Sequence, residues 1–167
     1  MNERKFLTVM AVFDPQTQEK LSSIQKYLIN NISCGTQTIG IPFHITLGSY
    51  PVDELVSVIS KINQVAATAK SFDIQLKGYN HFGNRVFFLE PEIIYDLVKL
   101  RKSFECDYAN GFDWVPHATL YCGEFDEVEK ANMIVPKNNL PIKARIVGIE
   151  LGEFFPPNKK YSVNFKE

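Results

Sequence analysis

Cysteine is scarce in this sequence. Cys34, Cys106 and Cys122 are odd in number and form no C-x-x-C pair, which argues against a disulfide framework and for a reducing compartment, the cytoplasm by default. Net charge is nearly nil, with 18 Lys+Arg against 19 Asp+Glu. No overall field therefore draws the chain to DNA or to an anionic membrane, while a small anion in a local cleft remains allowed. No apolar run approaches the roughly 20 residues that span a bilayer. The opening NERKFLTVMAVFDP has the basic and apolar parts of a signal peptide, but Asp14-Pro15 stands where a small-residue cleavage site is required, so it reads as a buried first strand. Linker-like and low-complexity tracts are missing too. The chain is read as one domain, 1–167, ordinary in composition at 45% hydrophobic and 22% charged residues and long enough to bury its own core.

Histidine is also rare, yet two of the three histidines share one tetrapeptide. His44 opens H-I-T-L and His117, 73 residues later, opens H-A-T-L. Asp53-Glu54 and Asp126-Glu127 repeat at the same offset, as first-turn acids that suit helix N-termini. The order of segments repeats with them. KFLTVMAVF reads as a strand, and Asp14-Pro15 as the cap and first turn of a helix with Leu21, Ile24, Leu28 and Ile32 on one face. SCGTQTIG ends that helix, and PFHITLGSY is a strand. A second helix carries Leu55, Val58, Ile59, Ile62 and Val65. SFDIQLKGY and RVFFLE form an antiparallel pair about Gly83-Asn84. A helix over PEIIYDLVKLRKSFECDY, the strand DWVPHATLYCG, the helix EFDEVEKAN and the strands KARIVGIELGEFF and KYSVNF complete the chain. Each half runs strand, helix, H-x-T-L strand, helix, strand pair. The expectation is an α+β, bilobal duplicated fold, with two mainly antiparallel sheets flanked by helices around a central cleft.

Side chains alternate along a strand, so His44 and Thr46 share one face, as do His117 and Thr119, with the apolar residues opposite. A twofold between the lobes brings both polar pairs to one cleft. An imidazole titrates near pH 6.5, so one neutral ring can take a proton from an attacking hydroxyl while a charged one protonates the leaving oxygen. Threonine hydroxyls can donate to the non-bridging phosphate oxygens. No metal is needed for this scheme. A zinc site through His44, His81 and His117 lacks Cys, Asp or Glu at ligand spacing, and His81 reads as a loop or cleft-edge residue.

Two H-x-T-L motifs about half a chain apart, with RVFFLEP, a helix and WVPHATL in order between Phe6 and Phe165, resemble the two-histidine (2H) phosphoesterase superfamily, which includes LigT-like 2′,5′ RNA ligases and cyclic phosphodiesterases. The resemblance implies hydrolysis, or reverse formation, of 2′,3′-cyclic phosphate or 2′,5′ phosphodiester bonds without cofactor. It assigns acid/base roles to His44 and His117 and phosphate contacts to Thr46 and Thr119, and leaves open which histidine is the base. Where RNA-acting members often carry basic residues after the second motif, Tyr121-Cys122-Gly123-Glu124 follows here. That favours a nucleotide-sized substrate over a large RNA, with an RNA end still allowed; the chain is expected to act as a monomer, with neither membrane nor DNA as partner. Arg85 is a candidate for a terminal phosphate, and Tyr50, Phe82, Trp114 and above all Tyr121 are candidates for stacking on a base. The competing reading is a non-catalytic nucleotide or RNA-end binding module of the same fold.

Overall fold

The computed structural model describes residues 4–32, 40–109 and 113–167. The segment SCGTQTIG, with Cys34, lies outside the described residues except for Gly40. Strand β1 (Phe6–Phe13) leads into helix α1 (Pro15–Asn31), whose N-cap Asp14 accepts a bond from the Thr17 amide at 3.0 Å, with Pro15 in the first turn. Leu21, Ile24 and Leu28 are its buried face, and Ile32 is its C-cap. Strand β2 (His44–Pro51) follows, then a single 3₁₀ turn (Val52–Glu54) and helix α2 (Leu55–Ala66), which buries Val58, Ile62 and Ala66. Strands β3 (Phe72–Phe82) and β4 (Val86–Pro91) form the expected hairpin about Gly83, whose φ of +48° suits a residue without a Cβ.

Helix α3 (Tyr95–Ser103) is shorter at both ends than the sequence pattern predicts. At its start Pro91 still belongs to β4, and the Glu92 amide donates to the Gln75 carbonyl at 2.8 Å. Beyond Ser103 the backbone turns to run beside β2. There Ser49 donates its amide to the Cys106 carbonyl at 2.7 Å and accepts from the Tyr108 amide at 3.3 Å. Strand β5 (Ala118–Cys122) is likewise short, beginning only after His117. Helix α4 (Phe125–Ile134) opens with a capping box between Glu124 and Glu127, and strands β6 (Ile142–Phe154) and β7 (Asn158–Asn164) close the fold.

The antiparallel α+β class holds, and the two sheets of the halves are one ladder in the order β2-β1-β6-β3-β4-β5, with β7 also on β6. The reason is the length of β6. Over Ile146–Phe154 it pairs β1, over Ile142–Ile146 it pairs β3, and over Gly148–Glu153 it pairs β7. The H-x-T-L strands β2 and β5 stand at opposite ends of that order, yet their Cα atoms approach within 8 Å. One hydrophobic core runs beneath, from Leu7, Val9 and Ala11 through Ile45 and Leu47 to Leu89, Ala118 and Leu120. Among the described residues no helix is long and apolar enough to cross a membrane.

Candidate active site

Each tetrapeptide folds with the same irregularity. In β2 the register slips between Val9↔Gly48 and Met10↔Thr46, and in β5 between Phe87↔Tyr121 and Phe88↔Thr119. The extra residue is the leucine in both cases, Leu47 and Leu120. A bulge of this kind re-aims the side chains that follow it. His44, Thr46 and Ser49 therefore share the cleft face of the first copy, while Thr119 and Cys122 line the same cleft from the second. At the close approach Gly48 is required, because a Cβ there would lie 2.0 Å from the Phe104 carbonyl oxygen.

Both leucines are fully buried on end strands, and their carbonyls find partners outside the ladder. The partner comes from a helix of the other half each time. Arg101 of α3 donates to Leu47 O at 2.7 Å, and Gln25 of α1 donates to Leu120 O at 2.9 Å. Arg101 is itself held by both oxygens of Asp107, at 3.0 and 2.8 Å. Further cross-links tie the motif down. The Trp114 indole donates to Thr46 O at 2.9 Å, and the Gln18 amide brackets the residue before His44, accepting from Phe43 N at 2.9 Å and donating to Phe43 O at 2.7 Å. None of these bonds to the motif strands has a local sequence signal, since each joins residues 25 or more positions apart.

The imidazoles are fixed in one way. His44 Nδ1 lies 2.7 Å from Pro42 O, and His117 Nδ1 lies 2.8 Å from Val115 O, each two residues back. A carbonyl oxygen only accepts, so Nδ1 carries the hydrogen and Nε2 is left with its lone pair. Burial pulls His44 down to about 4, against the opposing bond to Pro42, and the charge of His117 lowers it further. His44 lines the cleft with Thr46 and Thr119, and His117 stands two residues before Thr119. His117 is also lowered, chiefly by burial. Both rings are therefore neutral bases in the ligand-free protein at neutral pH.

The cleft has a volume of about 240 Å³. Its floor carries hydroxyls, and its walls include Phe43, Phe154 and Phe155. Phe82 packs edge-on to His117 with ring centroids 4.7 Å apart, and Phe88 lies 5.2 Å from it. Of the expected binding residues, Phe82 is thus beside a histidine. Tyr121 is not available for stacking: it is fully buried, because the bulge at Leu120 turns it into the core and gives its place in the cleft to Cys122. Tyr50 is buried as well, and its hydroxyl is pushed up to about 12, mainly by that burial. Arg85 is exposed, lies 3.9 Å from Glu124 and is not among the residues that line the cleft. His81, near the tip of β3, is exposed, with Nδ1 2.7 Å from Gly83 O. Among the described residues no three His, Cys, Asp or Glu side chains are grouped to hold a metal ion.

Comparison with known proteins places the fold and the family. Escherichia coli LigT complexed with 3′-AMP superposes with a TM-score of 0.72 at 13% identity, covering 99% of this chain and 100% of that one. A Thermus thermophilus protein gives 0.62 at 14% identity, covering 96% and 98%, and Kluyveromyces marxianus Usb1 gives 0.50 at 11%, covering 96% and 97%. At such identities these likenesses establish the fold. Among curated proteins none matches the chain in sequence. The 2'-5' RNA ligase superfamily, however, matches residues 13–153. Family and fold together support a phosphoesterase or ligase type of activity, and the chain belongs to the 2'-5' RNA ligase superfamily.

Proposed function

We propose that this chain is a metal-independent phosphoesterase that cleaves, or in reverse forms, 2′,3′-cyclic phosphate or 2′,5′ phosphodiester bonds of a nucleotide-sized substrate. The observation that carries the reading is the duplicated imidazole geometry: two rings pinned through Nδ1 by the carbonyl two residues back, both leaving Nε2 for a neighbouring phosphate. His44, held neutral by burial, takes a proton from water as its oxygen attacks phosphorus. His117, the less buried ring, gives its proton to the leaving ribose oxygen as the P–O bond breaks. A bound phosphodiester anion raises the proton affinity of a nearby ring, which supplies His117 with that proton. Thr46 and Thr119 donate to the non-bridging oxygens, where charge is held through the transition state. The same steps run backwards join the ends.

Support for the size of the substrate comes from the small cleft and from LigT, whose structures hold 3′-AMP, ATP, NADP+ or phosphate. The test is a panel of 2′,3′-cyclic nucleotides and 2′,5′-linked dinucleotides assayed with EDTA present. Turnover that survives EDTA and is lost in His44→Ala and His117→Ala is the expected result. Binding without turnover on every member would replace catalysis by the binding-module reading.

A further inference from the structure

The cleft extends beyond the phosphate-binding hydroxyls along β1. There Thr8 is 8% exposed, lines the cleft, and has no hydrogen-bond partner among the described residues. The hydroxyl is not sealed in the core; it opens onto the cleft, where a ligand can use both its donor and its acceptor. No bond from its neighbours in the sheet engages it. Across one side stands Ser49, whose Oγ already accepts from the Ala109 amide at 2.8 Å. Across the other stands Gly152, which has no side chain. The fold does not demand a hydroxyl here either. Thr8 faces Ser49, and the corresponding pair of the second copy is Val86 facing Cys122, so the equivalent position is served by an apolar residue.

Around Thr8 the cleft is walled by the rings of Phe6, Phe154 and Phe155, and no Lys or Arg lines it. The cations close by in sequence are engaged elsewhere: Lys5 and Lys160 with Glu153, and Arg4 over the Tyr108 ring. An environment with the hydroxyls of Thr8 and Ser49, three phenyl rings and no positive side chain suits an uncharged organic group rather than a second phosphate.

We infer that Thr8 is a specificity residue: its hydroxyl bonds to an uncharged oxygen of the sugar half of the substrate, in a subsite on the His44 side of the cleft that has no counterpart on the His117 side. This rests on the phosphoesterase reading above. It assigns direction to an otherwise duplicated site, because a nucleoside phosphate entering the cleft places its sugar over β1.

The test compares wild type, Thr8→Val and Thr8→Ser with 2′,3′-cyclic AMP. Valine keeps the shape and removes the hydroxyl, so KM should rise roughly 3–10-fold, the size of one neutral hydrogen bond, with kcat little changed. Serine should restore KM. The melting temperature of ligand-free Thr8→Val should match that of wild type, since the hydroxyl faces the cleft, whereas a hydroxyl serving only the fold would lower it when removed. An unchanged KM, or a lower melting temperature with no rescue by serine, overturns the assignment. If wild type turns over neither the cyclic nucleotides nor the 2′,5′-linked dinucleotides, the phosphoesterase reading fails by itself. The Thr8 subsite is then judged by titration with 2′-AMP and 3′-AMP: weaker binding by the valine variant sustains it, and equal or absent binding by both proteins overturns it.

Discussion

The two halves of the site agree in what fixes the proton and differ in what tunes it. Both copies bulge at the leucine, both pin Nδ1 to a carbonyl two residues back, and both take a side-chain hydrogen bond from the opposite half at the leucine carbonyl. Around His44, however, the site adds Gln18, Thr8 and Ser49, and burial brings the ring to about 4. Around His117 it places Phe82 and Phe88, with Val86 and Cys122 in the positions of Thr8 and Ser49. The two copies share the geometry of their rings and differ in their surroundings, as the proposed pairing of one base with one acid requires.

The most severe way to break the comparison is to remove one ring. His44→Ala and His117→Ala should each lower kcat on a responsive cyclic nucleotide by about 10²–10⁴-fold; a large loss from only one of them would mean that the halves are not functional equivalents. Thr46→Val and Thr119→Val should each cost about 10²-fold in kcat, as removal of a donor to developing charge does, with KM the lesser change.

The crossed supports should separate the halves in stability. Arg101→Met removes a charged donor that holds both Leu47 O and Asp107, and about 2–3 kcal/mol should be lost; Gln25→Leu, which strands one neutral carbonyl bond, should cost about 1–2 kcal/mol. Urea unfolding at neutral pH measures both, and equal losses would remove the distinction. Acid should report on His44 itself. A histidine buried neutral binds its proton more readily when unfolded, so stability is full above the unfolded value of 6.5 and falls as pH drops from there to about 4. The contribution is on the order of 3 kcal/mol, and His44→Gln should flatten the curve across that window. With His44 needed neutral and His117 needed charged, kcat/KM should form a bell whose maximum lies below pH 6.5. The smallest effect sharpens the contrast at the rim: Phe82→Ala, by taking away the edge contact with His117, should change kcat/KM about threefold.

Much of the fold was legible because periodicity and caps are local. Asp14-Pro15 announced α1, and the alternation of Ile74 and Leu76 announced β3. The catalytic candidates were legible because the H-x-T-L repeat is written twice. What could not be read was the bulge. Strict alternation put Tyr121 on the face of Thr119, and one extra residue at Leu120 sent it into the core and brought Cys122 to the cleft. Arg101, Gln25 and Gln18 were not read as part of the site either, and Trp114 was read as a stacking ring and not as the donor to Thr46 O, because these roles exist only once distant segments meet. The joining of two sheets by β6 has the same origin: its residues suit a strand, but nothing local says that it serves both halves.

A crystal structure with phosphate or 2′-AMP bound tests the central claim most directly. One phosphorus-centred anion should be gripped from both sides by Nε2 of His44 and Nε2 of His117, with the hydroxyls of Thr46 and Thr119 on its oxygens. An anion held by one histidine alone, or rings turned so that Nδ1 faces the ligand, would contradict it.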